Sequence, residues 1–171
     1  MEPTTNLIVH TEGWLVSHRA DSALPGYLII SARKSVGDLS SMSDDTLHEI
    51  GPLLALTERS LKQTLNARRV YIGRYGHVPG RTFHFHMIPI YAWVEELFWR
   101  DTRYRALQRF AEGEGQTATD GAELTFFVWR EFCERQQPPP IQGPTVLEAI
   151  QRLRETMQHC PTDADAPFSD W

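Results

Sequence analysis

The 171-residue sequence holds only two cysteines, Cys133 and Cys160, and neither belongs to a CxxC. That excludes a disulfide framework and a cysteine-built structural zinc site. No stretch approaches the ~20 consecutive apolar residues of a membrane helix. The opening segment MEPTTNLIVHTEG also lacks the basic leader and apolar run of a secretory signal, so a soluble, cytoplasmic protein is expected. Positive charge is in short supply, with 17 Lys and Arg against 22 Asp and Glu and a net charge of -5. A protein that grips a polynucleotide usually presents a net basic face, so no nucleic-acid polymer is expected as a partner, and no membrane. A single nucleotide, which needs only one or two local cations, stays open. What the chain does have is a hydrophobic fraction of 41% with 23% charged residues. This is enough for a real core and excludes a disordered chain.

Two segments near the start read as strands, Gly13–His18 and Gly26–Ser31, joined by the turn-like ADSALPG. A helix is expected from about Ser43, with Leu47, Ile50, Leu54, Thr57, Leu61 and Leu65 at helical spacing and a kink or break at Pro52. Arg69–Arg74 and Arg81–Tyr91 read as two strands of a hairpin around the turn YGHVPG. Beyond Tyr91 the pattern turns helical over 92–111, 122–135 and 145–158, with a polar loop at 113–120. The expectation is an α+β core over residues 1–91 followed by a helical C-terminal extension over 92–171.

The chemistry concentrates in Thr82-Phe83-His84-Phe85-His86-Met87. Side chains alternate along a strand, so Phe83, Phe85 and Met87 form an apolar face and Thr82, His84 and His86 a polar row behind it. Such a row is either a site or an exposed sheet face on which histidine is tolerated. If the turn centres near Val78, Ile72 stands opposite His84 and Arg74 opposite Thr82, which puts Arg74 beside the histidines. A slip of one residue would turn it away. Gly76 and Gly80 allow a turn whose backbone N–H groups converge on an anion. Two imidazoles, a guanidinium and such a turn suit a phosphate-handling pocket. Neutral imidazole can attack phosphorus to give a covalent phosphoramidate, while arginine binds phosphate oxygens with two donors.

Residues 14–91 resemble the histidine-triad (HIT) family of nucleotide hydrolases and transferases, whose fingerprint is His-φ-His-φ-His-φ-φ, often followed by Pro. Here it reads Thr82-Phe83-His84-Phe85-His86-Met87-Ile88-Pro89, and the upstream LPGYLII at 24–30 is similar to the family's approach to its second strand. The resemblance implies a HIT-like antiparallel sheet with a packed helix. It makes His84 the nucleophile on the α-phosphate of a nucleotide and gives His86 a catalytic and phosphate-positioning role. Arg74 becomes the likeness's phosphate contact from the neighbouring strand. It further implies a homodimer that needs no cofactor and no metal for the nucleophilic step.

The sequence departs from that pattern in places. Thr82 replaces the first histidine, so any contribution of that imidazole to phosphate binding comes from a hydroxyl or is absent. His77 stands in the loop where the family has a Gly-Gln-Ser/Thr approach, and is either a phosphate contact or proton donor to the leaving group, or an exposed loop histidine. Ser31-Ala32-Arg33-Lys34 replaces the family's Pro-Lys-x-His, and Asp21 is a candidate ribose acid or a turn cap. The expected function is a hydrolase or nucleotidyl transferase acting on a nucleoside phosphate or dinucleoside polyphosphate. Two rivals remain. One is a non-catalytic nucleotide-binding or interaction module on a degenerate fingerprint; the other is a metal site built on His-x-His, which needs a third protein ligand.

Overall fold

The computed structural model describes residues 5–75, 80–104 and 121–158. Five strands form one antiparallel sheet: β1 (Leu7–His10), β2 (Trp14–His18), β3 (Leu28–Ala32), β4 (Arg69–Gly73) and β5 (His84–Ile90). Their spatial order is β1-β2-β3-β5-β4, so β5, last in sequence, lies inside the sheet. The strands expected at 13–18 and 26–31 are β2 and β3. The edge strand β1 is an addition, four residues long and bulged between Leu7 and Val9.

Alternation sorts the side chains into two faces. Trp14, Val16 and His18 pair with Ala32, Ile30 and Leu28, and Ile30 and Leu28 pair in turn with Phe85 and Met87. This is the core face. Trp14, Val16, Leu28, Ile30 and Met87 are fully buried there. Helix α1 (Asp44–Leu65) covers this face, burying Leu53, Thr57, Leu61 and Leu65. The Trp14 indole N–H donates to the Thr46 carbonyl at 2.8 Å, which fixes the start of the helix over the strand.

Local chemistry sets the limits of α1. Ser43 caps its first turn by accepting from the Thr46 N–H, and Asp44 and Asp45 sit where the helix dipole favours negative charge. Asn66 ends it in the left-handed conformation, φ 59°. The break expected at Pro52 is not there: one helix of 22 residues runs through it. Pro52 removes one intrahelical N–H donor to the His48 carbonyl, but both residues are on the solvent side, where water can take the donor's place.

The hairpin register also differs from expectation. Ile72 lies opposite Met87 and Gly73 opposite His86, a shift of three residues. β5 begins at His84 rather than Arg81, so ten residues separate it from Gly73, and the turn expected over 75–80 lies largely outside the described residues. An odd shift exchanges the two faces of a strand, and Arg74 is turned away from the histidines as a result.

After β5 the chain forms α2 (Ala92–Arg100), which ends sooner than the expected 111. Asp101 accepts from the backbone N–H and the guanidinium of Arg103, which turns the chain into a short 3-10 segment at Thr102–Tyr104. The rest of that expected helix, and the polar loop at 113–120, lie outside the described residues. Helix α3 (Ala122–Trp129) continues as a π turn through Arg130–Glu134. Buried Glu131 holds this end in place, ion-paired with Arg103 and Arg135 and accepting from the Tyr104 hydroxyl. Helix α4 (Val146–Gln158) starts with a Thr145–Glu148 capping box and packs on α1 and β1. The helices after Tyr91 share one hydrophobic core with the sheet, through Phe98, Phe127, Phe132, Ile150 and Leu153.

Trp14→Ala should cost about 3–5 kcal/mol, since it empties a fully buried indole site and removes a hydrogen bond. The control Leu147→Ala, on an exposed residue, should stay within about 0.5 kcal/mol. Urea unfolding of both variants checks the contrast.

Candidate functional site

The face opposite α1 carries the polar row. Leu15, Ser31 and His84 lie in one line across β2, β3 and β5, and Ser17, Ile29, His86 and Gly73 lie in the next. The two imidazole centroids are 5.0 Å apart. His84 is half-buried and His86 buried.

Each imidazole is held by one of its nitrogens. His84 Nδ1 is 2.9 Å from the Thr82 carbonyl oxygen, which can only accept. Nδ1 therefore carries the proton, and in the neutral ring Nε2 keeps its lone pair. His86 Nδ1 is 3.1 Å from the Tyr27 hydroxyl. That hydroxyl already accepts from Arg19 Nη1 at 2.9 Å, so its own proton is directed at His86. The chain Arg19–Tyr27–His86 leaves the His86 Nε2–H as a donor. Asp21 holds Arg19 in turn, with a bidentate pair at 2.5 and 3.0 Å.

Burial sets the protonation states. It pushes His86 down to about 4, and the neighbouring His84 and the Arg19 guanidinium lower it further. It also pushes the Tyr27 phenol up to about 12, so the hydroxyl remains a donor. The Arg19 hydrogen bond holds Asp21 below the usual carboxylate range. His18 anchors the turn that carries Arg19 and Asp21. Its ring nitrogens meet the Arg19 and Leu24 carbonyls at 2.9 and 3.1 Å, while burial keeps its pKa low.

Gly73 shapes the far side of His86. A Cβ at position 73 would lie 2.5 Å from the Tyr75 ring, so only glycine lets Tyr75 fold back to 5.4 Å from the His86 centroid.

Two pockets meet at the histidine pair. One, of about 780 Å³, runs over β1, β2 and β3 with Ser17, Asp21, Ser31 and Arg33 among its polar groups and Leu7, Leu15 and Ile29 as an apolar floor. The other, of about 700 Å³, lies between β5 and α3 and is lined by Tyr27, Tyr75, Ile88, Phe126 and Trp129. Arg19, Arg81, His84 and His86 line both. Both volumes suit a small molecule.

The structure thus brings His84, His86 and Thr82 together, and Asp21 with them, but not Arg74. Arg74 stands on the α1 side, 4.4 Å above the Phe83 ring, with its guanidinium on the Gly37 carbonyl and Asp38. The guanidiniums at the site are Arg19 and Arg81 instead. His77 lies outside the described residues. Tyr27, Arg19, Arg81 and the α3 aromatics are additions; the alternation that puts Ile29 beside His86 would also have put Tyr27 on the site face, had the strand order been known. Among the described residues no group of three or more His, Cys, Asp or Glu is placed to hold a metal ion. Among them, too, no helix is long and apolar enough to cross a membrane.

The sequence matches no protein-family model and no curated protein. Solved structures are another matter. The chain is similar to a zinc-bound histidine triad family protein from Mycobacterium smegmatis, with TM-score 0.52 and 13% identity over 91% of this chain and 85% of that one. It is also similar to a hypothetical histidine triad nucleotide-binding protein from Sulfolobus tokodaii, at TM-score 0.51 and 14% identity over 90% and 83%. The fold is that of the histidine-triad proteins. The chain is similar as well to a uridylyltransferase, at TM-score 0.53 and 16% identity over 93% of this chain but 43% of that one. These likenesses extend past Tyr91 into the helical part, so the α+β histidine-triad fold takes in more of the chain than the fingerprint region.

Because His86 and His18 both titrate below the free value of about 6.5, the unfolded chain takes up protons first as pH falls. Stability should therefore be full above about pH 6.5 and decline towards about pH 4. His86→Asn should make that decline shallower. Urea midpoints of the two proteins across the window provide the check.

Proposed function

We propose that the protein is a HIT-type hydrolase or nucleotidyl transferase that cleaves a nucleoside phosphate or dinucleoside polyphosphate through a nucleotidyl-His84 intermediate. The observation that carries this reading is the state of His84. Its Nδ1–H is engaged by the Thr82 carbonyl, and its Nε2 lone pair is free where two pockets meet. The names of structural neighbours, a nucleotide-binding protein and a uridylyltransferase, agree with it.

In the first step the Nε2 lone pair of His84 forms a bond to the α-phosphorus. The bond from phosphorus to the leaving group breaks, and that group departs with the bonding pair and takes up a proton. The ring now carries positive charge, which the Thr82 carbonyl stabilises through the Nδ1–H. Arg19 and Arg81 offset charge on the phosphoryl oxygens, and the His86 Nε2–H donates to one of them. In the second step water attacks phosphorus and loses a proton, the N–P bond breaks with its electron pair returning to Nε2, and a nucleoside monophosphate leaves. An alternative acceptor hydroxyl in place of water makes the same chemistry a transfer.

The polar pocket suits the nucleoside. Ser17, Ser31 and Asp21 offer sugar hydroxyls their partners, and Leu7, Leu15 and Ile29 offer the base an apolar floor. A homodimer and a cytoplasmic location belong to the same reading.

His84→Ala should lower kcat by about 10⁴-fold or more while the chain stays folded. Mass spectrometry of the wild type, quenched during turnover of a nucleotide panel, should find a nucleotidyl adduct on His84. Turnover that survives in His84→Ala would assign the chemistry elsewhere, and nucleotide binding with no adduct and no turnover would leave a binding module. Tyr27→Phe removes the hydroxyl that orients His86, and kcat should fall about tenfold with a smaller change in KM.

A further inference from the structure

The pocket between β5 and α3 differs in chemistry from the polar pocket beside it. Its wall is aromatic: Tyr75, Phe126 and Trp129 remain 50%, 43% and 38% exposed although each has apolar surface that would gain from cover. Phe126 and Trp129 stand with ring centroids 5.9 Å apart on the last turns of α3. The helix that carries them is firmly placed. Gly121 starts it at φ +99°, in the left-handed region, and a Cβ there would lie 2.1 Å from the Tyr71 ring, so α3 approaches β4 as closely as glycine allows. Buried Leu124, Phe127 and Val128 anchor its other side. The aromatic wall is therefore held at a set distance from the sheet. Its charged side chains and both imidazoles, Arg19, Arg81, His84 and His86, form the edge shared with the polar pocket.

A phosphate seated on the histidine pair has two substituents to place and two pockets in which to place them. Sugar hydroxyls fit the polar one. The aromatic one offers rings to stack on and few hydroxyls beyond that of Tyr27, those of Tyr75 and Thr125, so a flat apolar group gains there what a sugar or a second phosphate would lose. We propose that the pocket formed by Tyr75, Phe126 and Trp129 is the leaving-group subsite, and that it takes an aromatic group linked through oxygen or nitrogen to the nucleotide's α-phosphate. The inference rests on the nucleotidyl-transfer reading for the role of leaving group. The preferred substrates are accordingly nucleoside phosphate esters or amidates whose second substituent is a flat ring, ahead of those whose second substituent is small or highly charged.

The test has two arms. In binding, 1-naphthyl phosphate and methyl phosphate are titrated calorimetrically into the full chain carrying His84→Ala, so that no chemistry contributes. The naphthyl compound should bind about tenfold tighter, the size of one well-placed aromatic contact. That preference should shrink to about threefold or less when Phe126→Ala or Trp129→Ala is added. In turnover, kcat/KM of the wild type for an adenosine 5′-phosphoramidate of naphthylamine should exceed that for the methylamine compound. The ratio should fall in both single variants, each confirmed as folded by circular dichroism. Turnover with equal kcat/KM for the two compounds overturns the subsite and leaves the nucleotidyl-transfer reading standing. No turnover of either, with the naphthyl preference in binding intact, overturns that reading and the leaving-group role with it. A shift of oligomeric state in Phe126→Ala and Trp129→Ala, with the naphthyl preference unmoved, overturns the subsite and makes the wall a contact with a second copy.

Discussion

The site depends on the one-sided burial of β5. Phe85 and Met87 are held against Trp14, Val16 and the cover of α1, and the 180° alternation of a strand then sends His84 and His86 to the other face. The imidazoles are oriented by the burial of their neighbours. A side chain cannot leave that row without pulling an aromatic or a methionine out of the core, which costs several times the energy of a typical hydrogen bond. The strand order strengthens the constraint. Flanked by β3 and β4, β5 cannot slip without breaking two ladders.

Around that row the protein gathers positive charge on a chain that is negative overall. Arg19 and Arg81 reach the histidine edge from different segments, and Arg33 lines the polar pocket. The deep histidine is kept neutral by burial beside these cations, so it meets a ligand as a hydrogen-bond donor and not as a charge. Tyr27 links the two ideas. It accepts from a guanidinium and donates to an imidazole, which fixes the proton's position without moving it.

Much of this was legible in the sequence, and the failures have physical causes. The alternation of Phe and His over residues 83–86 is enough to separate core from site, and the helical spacing from Leu47 to Leu65 is enough to find α1. Arg74 stands off the site because register across a ten-residue connection is not a local property: a shift of three residues reverses the face of every side chain on β4 relative to β5. The helix runs through Pro52 because a missing donor on a wet helix face is cheap. Arg19 and Tyr27 come from the ends of β2 and β3, and their partnership with His86 follows only from the order β2-β3-β5. Phe126 and Trp129 carry no periodic signal because α3 is apolar almost all round.

The contact between His84 Nδ1 and Thr82 is made by the carbonyl of residue 82, part of the peptide backbone. Every amino acid brings that oxygen, so the group that orients the His84 ring is indifferent to which side chain occupies position 82. The strand can thus carry threonine at position 82 and keep the tautomer of His84. Position 82 is free to be retuned for its neighbours in the polar pocket without disturbing the free nitrogen of His84.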